Sequence, residues 1–247
     1  ENFGGQLKFF IGGGALLDKD LQKFYYAIGL PMYQGYGLSE ATPVISTNGP
    51  RKHSFGSSGV LVSPLELKIC DNDGHELPLG EKGEIVIKGE NVMAGYWKNP
   101  TATAETVRNG WLHTGDLCTV DEDGYYKVVG RIKDMIIRGG ENIYPKEIEE
   151  CLYTCDKVSD VQVIGVPDKK YGEEIMACII LNDGETSSEE EIKQFVLDHM
   201  AKHKVPRYVD FVTEFPMNAA GKILKYKMRE AAVEKLNLQN ANKIVTA

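Results

Sequence analysis

The chain has 247 residues, 42% hydrophobic and 26% charged, the composition of an ordinary globular protein with room for one large domain or two small ones. Its net charge of −8 argues against nonspecific nucleic-acid binding, which needs a basic face, and no apolar run is long enough for a transmembrane segment or a signal peptide. The five cysteines (Cys70, Cys118, Cys151, Cys155 and Cys178) are odd in number and form no CxxC pair. A disulfide framework or zinc site is not expected, and a reducing, cytoplasmic location is.

Leu7 to Ile11 reads as a buried strand running into the glycine loop Gly12-Gly13-Gly14-Ala15. Leu21, Phe24, Tyr25 and Ile28 stand at helical spacing and predict a helix from about Asp18, its cap, to Ile28. A strand, glycine loop and helix in succession are how α/β proteins present backbone to a ligand. Leu30 to Gln34 predicts another strand, ending at Gly35-Tyr36-Gly37-Leu38-Ser39-Glu40. There an aromatic between glycines offers a ring face to a base. The hydroxyl and carboxylate that follow suit a magnesium nucleotide, because Mg²⁺ takes oxygen ligands.

Residues 44–127 read as mostly β, with strands at 64–70 and 83–89 and a DG-turn hairpin at 120–129, a spacing that suggests a small barrel or sandwich. The acidic turns lack calcium-loop spacing and read as solvated. The aromatics of Gly95-Tyr96-Trp97 read as core, and His113 as structural. In Gly130 to Lys146, the run Met135-Ile136-Ile137 suits a short strand buried on both faces, Gly139-Gly140 a tight turn, and Pro145 a helix start. Beyond it, strands at 158–166 and 175–181, a helix opening at Ser188-Glu189 and a last helix over 225–236 make a small α+β domain. Lys222, on a glycine loop, can neutralise charge developing on a phosphoryl group.

Several of these segments carry a resemblance. GGGALL, the YG-x-[ST]-E box at 36–40, GYW at 95–97, GW-x-x-TGD at 110–116, GRIKDMIIRGGENIYPKEIE at 130–149 and P-x-x-x-x-GKI at 216–223 follow one another in the order of the adenylate-forming superfamily. The wording of the fifth looks most like the acyl-CoA synthetase branch. Leu16 for proline, Ser39 for threonine, Met217-Asn218 for the common opening and Lys225 for arginine are departures. The resemblance implies an α/β and α+β fold: the C-terminal part of a large domain, with a βα segment and a small β-barrel (residues 1–131), then a complete small mobile domain (132–247).

It further implies an ATP-dependent ligase that adenylates a carboxylic acid and passes the acyl group to coenzyme A, with a medium- or long-chain fatty acid as the expected substrate. Gly14 and Ala15 would border adenine and Tyr36 stack on it. Ser39 would contact phosphate and Glu40 hold Mg²⁺. Asp116 and Arg131 would hold the ribose of ATP or AMP, and Lys222 would serve adenylation. Lys133 would be the hinge and Gly140 would line the coenzyme A channel. Neither GxxxxGK[ST] nor a similar triphosphate-cradling run occurs. The chain is therefore expected to need an upstream part of its own large domain and to be inactive alone. The alternatives are a noncatalytic nucleotide-binding or interaction module and an adenylation domain that loads a carrier protein.

Overall fold

A computed structural model describes residues 5–14, 17–219, 221–239 and 241. The chain divides into two units, Glu1–Ile132 and Lys133–Ala247. In the first, β1 (Phe10–Gly12), α1 (Lys19–Ala27), β2 (Met32–Gly37), β3 (Val44–Thr47) and β4 (Val60–Leu61) supply a sheet of order β1-β2-β3-β4, parallel between β1 and β2 and antiparallel beyond. The first strand starts later than the expected 7–11. Asp18 caps α1, its Oδ1 accepting the N–H groups of Asp20 and Leu21. The face that α1 buries is not the apolar one. Gln22 is the buried residue, bonded to the Leu17 carbonyl and the Gly56 N–H, while Leu21, Phe24 and Ile28 are exposed.

The strands expected to form a barrel are β5 (Glu66–Cys70), β6 (Gly83–Lys88), β7 (Val107–Arg108), β8 (Trp111–Val120) and β9 (Tyr126–Arg131), with α2 (Pro100–Thr106) between β6 and β7. They make an antiparallel five-stranded sheet of order β5-β6-β8-β7, with β9 also on β8. Ile69, Ile85, Ile87, Leu112 and Cys118 of this sheet share one core with Ala41 and Ile45 of the other region. At the turns, Asp71 and Asp121 each accept two backbone N–H groups on one oxygen. Asp71, Asp73 and His75 converge within 4.8 Å, but Asp73 and His75 are exposed and Asp71 is satisfied by its own turn.

The second unit is one sheet between helices. β10 (Ile136–Arg138), β11 (Glu141–Ile143), α3 (Pro145–Leu152), β12 (Val158–Asp168), β13 (Gly172–Leu181), α4 (Glu189–His199), β14 (Tyr208–Phe211) and α5 (Lys225–Lys235) follow in order. The sheet runs β11-β10-β13-β12, with β14 parallel to β13. Side-chain alternation explains its three layers. Val161, Val163, Ile175, Ala177 and Ile179 pack with Ile148, Leu152, Ile192 and Val196 of α3 and α4. Ile164, Val166, Met176 and Cys178 pack with Met228 and Ala232 of α5. A strand covered on both faces reads as a continuous apolar run, and β13 does. Burial pushes the Cys178 and Cys118 thiols up to about 12, and all five cysteines are free.

Three expectations need correction here. Ile136 is buried but Ile137 is half exposed, because β10 is covered on one face only. The Gly139-Gly140 turn leads first into β11, with φ of 61° and 88°, and only then into the helix at Pro145. β12 runs through Pro167 to Asp168; it is the outer strand of the sheet, where a missing N–H is tolerated. Ser188 and Glu191 form the capping box that opens α4. No described helix is long and apolar enough to cross a membrane.

Ile148 is fully buried where α3 meets the sheet. Ile148→Ala removes three methyl or methylene groups from that layer and should lower the stability of the second unit by about 2–5 kcal/mol. The check is a fall in the denaturant midpoint followed by far-ultraviolet circular dichroism; a shift below a tenth of the wild-type midpoint would contradict the layer assignment.

Candidate functional site

Asp116 is the centre of the first unit's polar chemistry. It sits on β8 opposite Arg131 on β9 and is 5% exposed. Tyr36 Oη, at the end of β2, donates to its Oδ2 at 2.7 Å, and Arg131 Nε lies 3.1 Å from its Oδ1. Burial, then the carboxylate itself, holds the Tyr36 phenol well above its ordinary range, so it stays the donor. A carboxylate is a pure acceptor with about four lone-pair sites, the chemistry that binds hydroxyl groups. Gly37 follows Tyr36 because a side chain there would run into the Pro43 carbonyl, 1.7 Å from where a Cβ would lie.

Ser39 opens a short 3-10 turn, Ser39–Ala41, and is exposed. Glu40 follows, and its Oε1 accepts the Tyr96 hydroxyl at 2.9 Å. Its Oε2 has no partner among the described residues. Mg²⁺ keeps several waters and uses one or two carboxylates beside phosphate oxygens; a single carboxylate with one uncommitted oxygen fits that demand. Tyr96 was expected in the core. It is exposed, and Trp97 beside it is 87% exposed; the backbone leaves the core after Met93, so the pair faces solvent. Tyr96 is thus a neighbour of Glu40 that sequence reasoning missed, although a glycine before two aromatics marked the spot. His113 Nδ1 lies 2.8 Å from Glu84 Oε2, whose other oxygen accepts the Gly115 N–H, which ties this histidine to the β6–β8 sheet.

Gly14 lies on the exposed loop after β1 with φ of 86°; Ala15 lies outside the described residues. Leu17 N–H donates to Gln34 Oε1 where that loop rejoins the sheet.

In the second unit, Lys222 is exposed on a loop closed by the Met217–Ile223 bridge and by its own N–H to Asn218 Oδ1. Three residues on, Lys225 begins α5. A cation at a helix N-terminus opposes the dipole, and here Glu149 of α3 compensates: Lys225 Nζ lies 2.6 Å from its Oε1 and also donates to the Val163 carbonyl. This anchor was not legible, because its partner lies 76 residues away. Lys133 is exposed in the turn Ile132–Asp134, and Arg229 of α5 donates to its carbonyl and to Asp134. Gly140 is exposed with open space around it. The turn it belongs to is braced at Arg138, which makes two hydrogen bonds to the buried Glu174 and lies over the Tyr171 ring. In the first unit Asp116 touches both Tyr36 and Arg131, and Glu40 stands four residues beyond Tyr36; no contact joins Lys133, Gly140 and Lys222 among the described residues of the second.

Two family matches account for most of the chain. Residues 1–97 match the family described as AMP-binding enzyme, and residues 147–222 match the AMP-binding enzyme C-terminal domain. The chain belongs to the AMP-binding enzymes. Among curated relatives, a feruloyl-CoA synthase of Amycolatopsis sp is 44% identical over 225 residues, 90% of this chain and 46% of that protein. The mitochondrial medium-chain acyl-CoA ligase of Homo sapiens is 45% identical over 208 residues, 82% of this chain and 34% of that protein. Among solved structures, the ATP-bound MatB of Rhodopseudomonas palustris aligns with a TM-score of 0.83 at 36% identity, over 90% of this chain and 45% of the other. The anthranilate CoA ligase bound to anthranoyl-AMP aligns with a TM-score of 0.83 at 34% identity, over 93% and 45%. The chain thus spans less than half the length of these relatives.

Glu149→Gln keeps the acceptor for Val163 N–H but leaves the half-buried Lys225 cation without its counter-charge. The variant should lose about 1.5–3 kcal/mol. The loop should loosen first, with faster amide exchange at Lys222 and Leu224; exchange unchanged there would mean that Lys225 does not anchor it.

Proposed function

We propose that this chain is part of an ATP-dependent acid–thiol ligase that joins a carboxylic acid to coenzyme A through an acyl-adenylate. The observation that carries the reading is the Asp116 clasp. A buried carboxylate oriented by Tyr36 and Arg131 is an acceptor of the charge-assisted kind that suits the two vicinal hydroxyls of a ribose. Gly14 and Ala15 border the adenine, and the Tyr36 ring, oriented by its hydroxyl bond, stacks on it. Ser39 meets phosphate, and Glu40 holds Mg²⁺, which supplies charge neutralisation on the phosphates when bound. The acid's carboxylate oxygen attacks the α-phosphorus and pyrophosphate leaves, with the Lys222 cation balancing the charge that develops. The coenzyme A thiolate then attacks the acyl carbonyl and AMP leaves. Lys133, the first residue of the second unit, is the pivot between the two steps, and Gly140 lies along the pantetheine path.

The first unit is read as the end of a larger nucleotide-binding domain and the second as a small mobile one. Coverage below half of each relative supports a missing remainder, as does the exposed apolar face of α1. The chain alone is then inactive. The name of the human relative supports a medium-chain fatty acid, while the feruloyl and anthranilate names favour an aromatic acid as the second reading. A long-chain acid and a cytoplasmic location remain part of the proposal.

In the whole protein, Asp116→Ala should weaken ATP binding, each lost charge-assisted hydrogen bond being worth about 1.5–3 kcal/mol. Unchanged affinity in a titration would remove Asp116 from the site. Lys222→Ala should slow acyl-adenylate formation about 10²–10³-fold and spare thioester formation from supplied acyl-AMP. Lys133→Pro, which fixes φ at the pivot, should do the reverse. Single-turnover assays of each step decide; equal loss of both steps in both variants defeats the two-conformation reading.

A further inference from the structure

The residues around Glu40 divide into two sets with different duties. One set holds the backbone of the turn. Met93 N–H donates to the Glu40 carbonyl at 2.8 Å, Asn91 Nδ2 to the Ala41 carbonyl at 2.7 Å, and Thr42 Oγ1 to the Asn91 carbonyl at 2.9 Å. The Asn91 amide is oriented for this even though its own Oδ1 is buried with no partner among the described residues, a cost that native structures accept rarely. The turn is therefore fixed without Tyr96. The other set is Tyr96, whose hydroxyl donates to the Glu40 side chain at 2.9 Å and also interacts with the Thr106 side chain at the end of α2.

Tyr96 is in turn aimed by its neighbours. Its N–H donates to Thr103 Oγ1 at 2.9 Å, and that hydroxyl donates to the Asn99 carbonyl, the cap of α2. Gly95 has φ of 144°, and a Cβ there would lie 2.8 Å from the Thr103 methyl, so the approach needs glycine. A chain of contacts runs from the N-terminus of α2 to one oxygen of Glu40. Glutamate loses much rotamer freedom on being ordered, and a partly exposed glutamate without a partner would sample several directions. With Oε1 held, Oε2 points from one place.

We infer that Tyr96 is a positioning residue: its hydroxyl preorders the Glu40 carboxylate so that the second oxygen is presented to the divalent cation of a metal–nucleotide. This rests on Glu40 being the metal residue, as proposed above. Partners that orient a metal-binding carboxylate are typically worth 10–100-fold in metal affinity. Tyr96→Phe removes one oxygen and leaves the ring, so the turn and the fold stay.

The test titrates Mn²⁺ into the whole protein bound to α,β-methylene-ATP, followed by electron paramagnetic resonance, in wild type, Tyr96→Phe, Glu40→Gln and the double variant. Expected are a loss of Mn²⁺ affinity of about 10-fold for Tyr96→Phe, a larger loss for Glu40→Gln, and no added loss when the two are combined. Affinity for the analogue in EDTA and the melting temperature should match wild type in Tyr96→Phe. If Glu40→Gln leaves Mn²⁺ binding unchanged, the metal role of Glu40 fails. If Glu40→Gln weakens it while Tyr96→Phe leaves it equal or tighter, the positioning role alone is overturned. A parallel fall in melting temperature and in metal-free affinity in Tyr96→Phe would make the hydroxyl structural and also overturn it.

Discussion

A carboxylate removed from water is costly unless its oxygens are paired, and the first unit is organised around satisfying one. Asp116 lies on the five-stranded sheet, Tyr36 at the end of β2 in the four-stranded sheet, and Arg131 on the strand paired with Asp116. The shared ion thus sets how the two sheets meet. The apolar core they share, from Ile45 to Leu112, supplies the burial that makes the pairing strong. Because Tyr36 closes β2 and the Glu40 turn begins three residues later, the position of one carboxylate is passed on to the other.

The second unit solves a comparable problem with cations. Lys225 and Arg229 both project from α5, one to Glu149 on α3 and the other to residues 133 and 134. One helix therefore holds both the loop that carries Lys222 and the segment that carries Lys133. The Arg138–Glu174 pair, with Arg207 also near Glu174, does the same for the glycine turn. Such pairs add little net stability but fix geometry, because removing either partner strands a charge.

Local physics made much of this readable. The apolar strand runs at 158–166 and 175–181, the Ser188 cap, the DG hairpin turn and the positive-φ glycines are all set by residues within a few positions. The boxes also named Tyr36 and Asp116, which the structure brings into contact. What escaped depends on contacts across the chain. α1 has a helical apolar pattern, yet Gln22 faces the unit because the loop at Gly56 needs an acceptor. Tyr96 looked like core, since nothing near it in sequence announces Glu40, 56 residues earlier. Lys225 read as a mere departure from arginine until Glu149 stood opposite it.

The two tryptophans give the molecule an unplanned optical asymmetry. Trp97 stands in solvent with Lys98 near its ring, whereas Trp111, on the five-stranded sheet, has the ammonium groups of Lys68 and Lys88 over its ring at 5.2 and 5.8 Å. Both belong to the first unit, and the second has none. Intrinsic fluorescence excited at the red edge of the indole band is then blind to half of the molecule. A melting curve recorded that way describes the Asp116 unit alone, while backbone dichroism sums over both. The difference between the two curves isolates the lysine-bearing unit without cutting the chain or adding a dye.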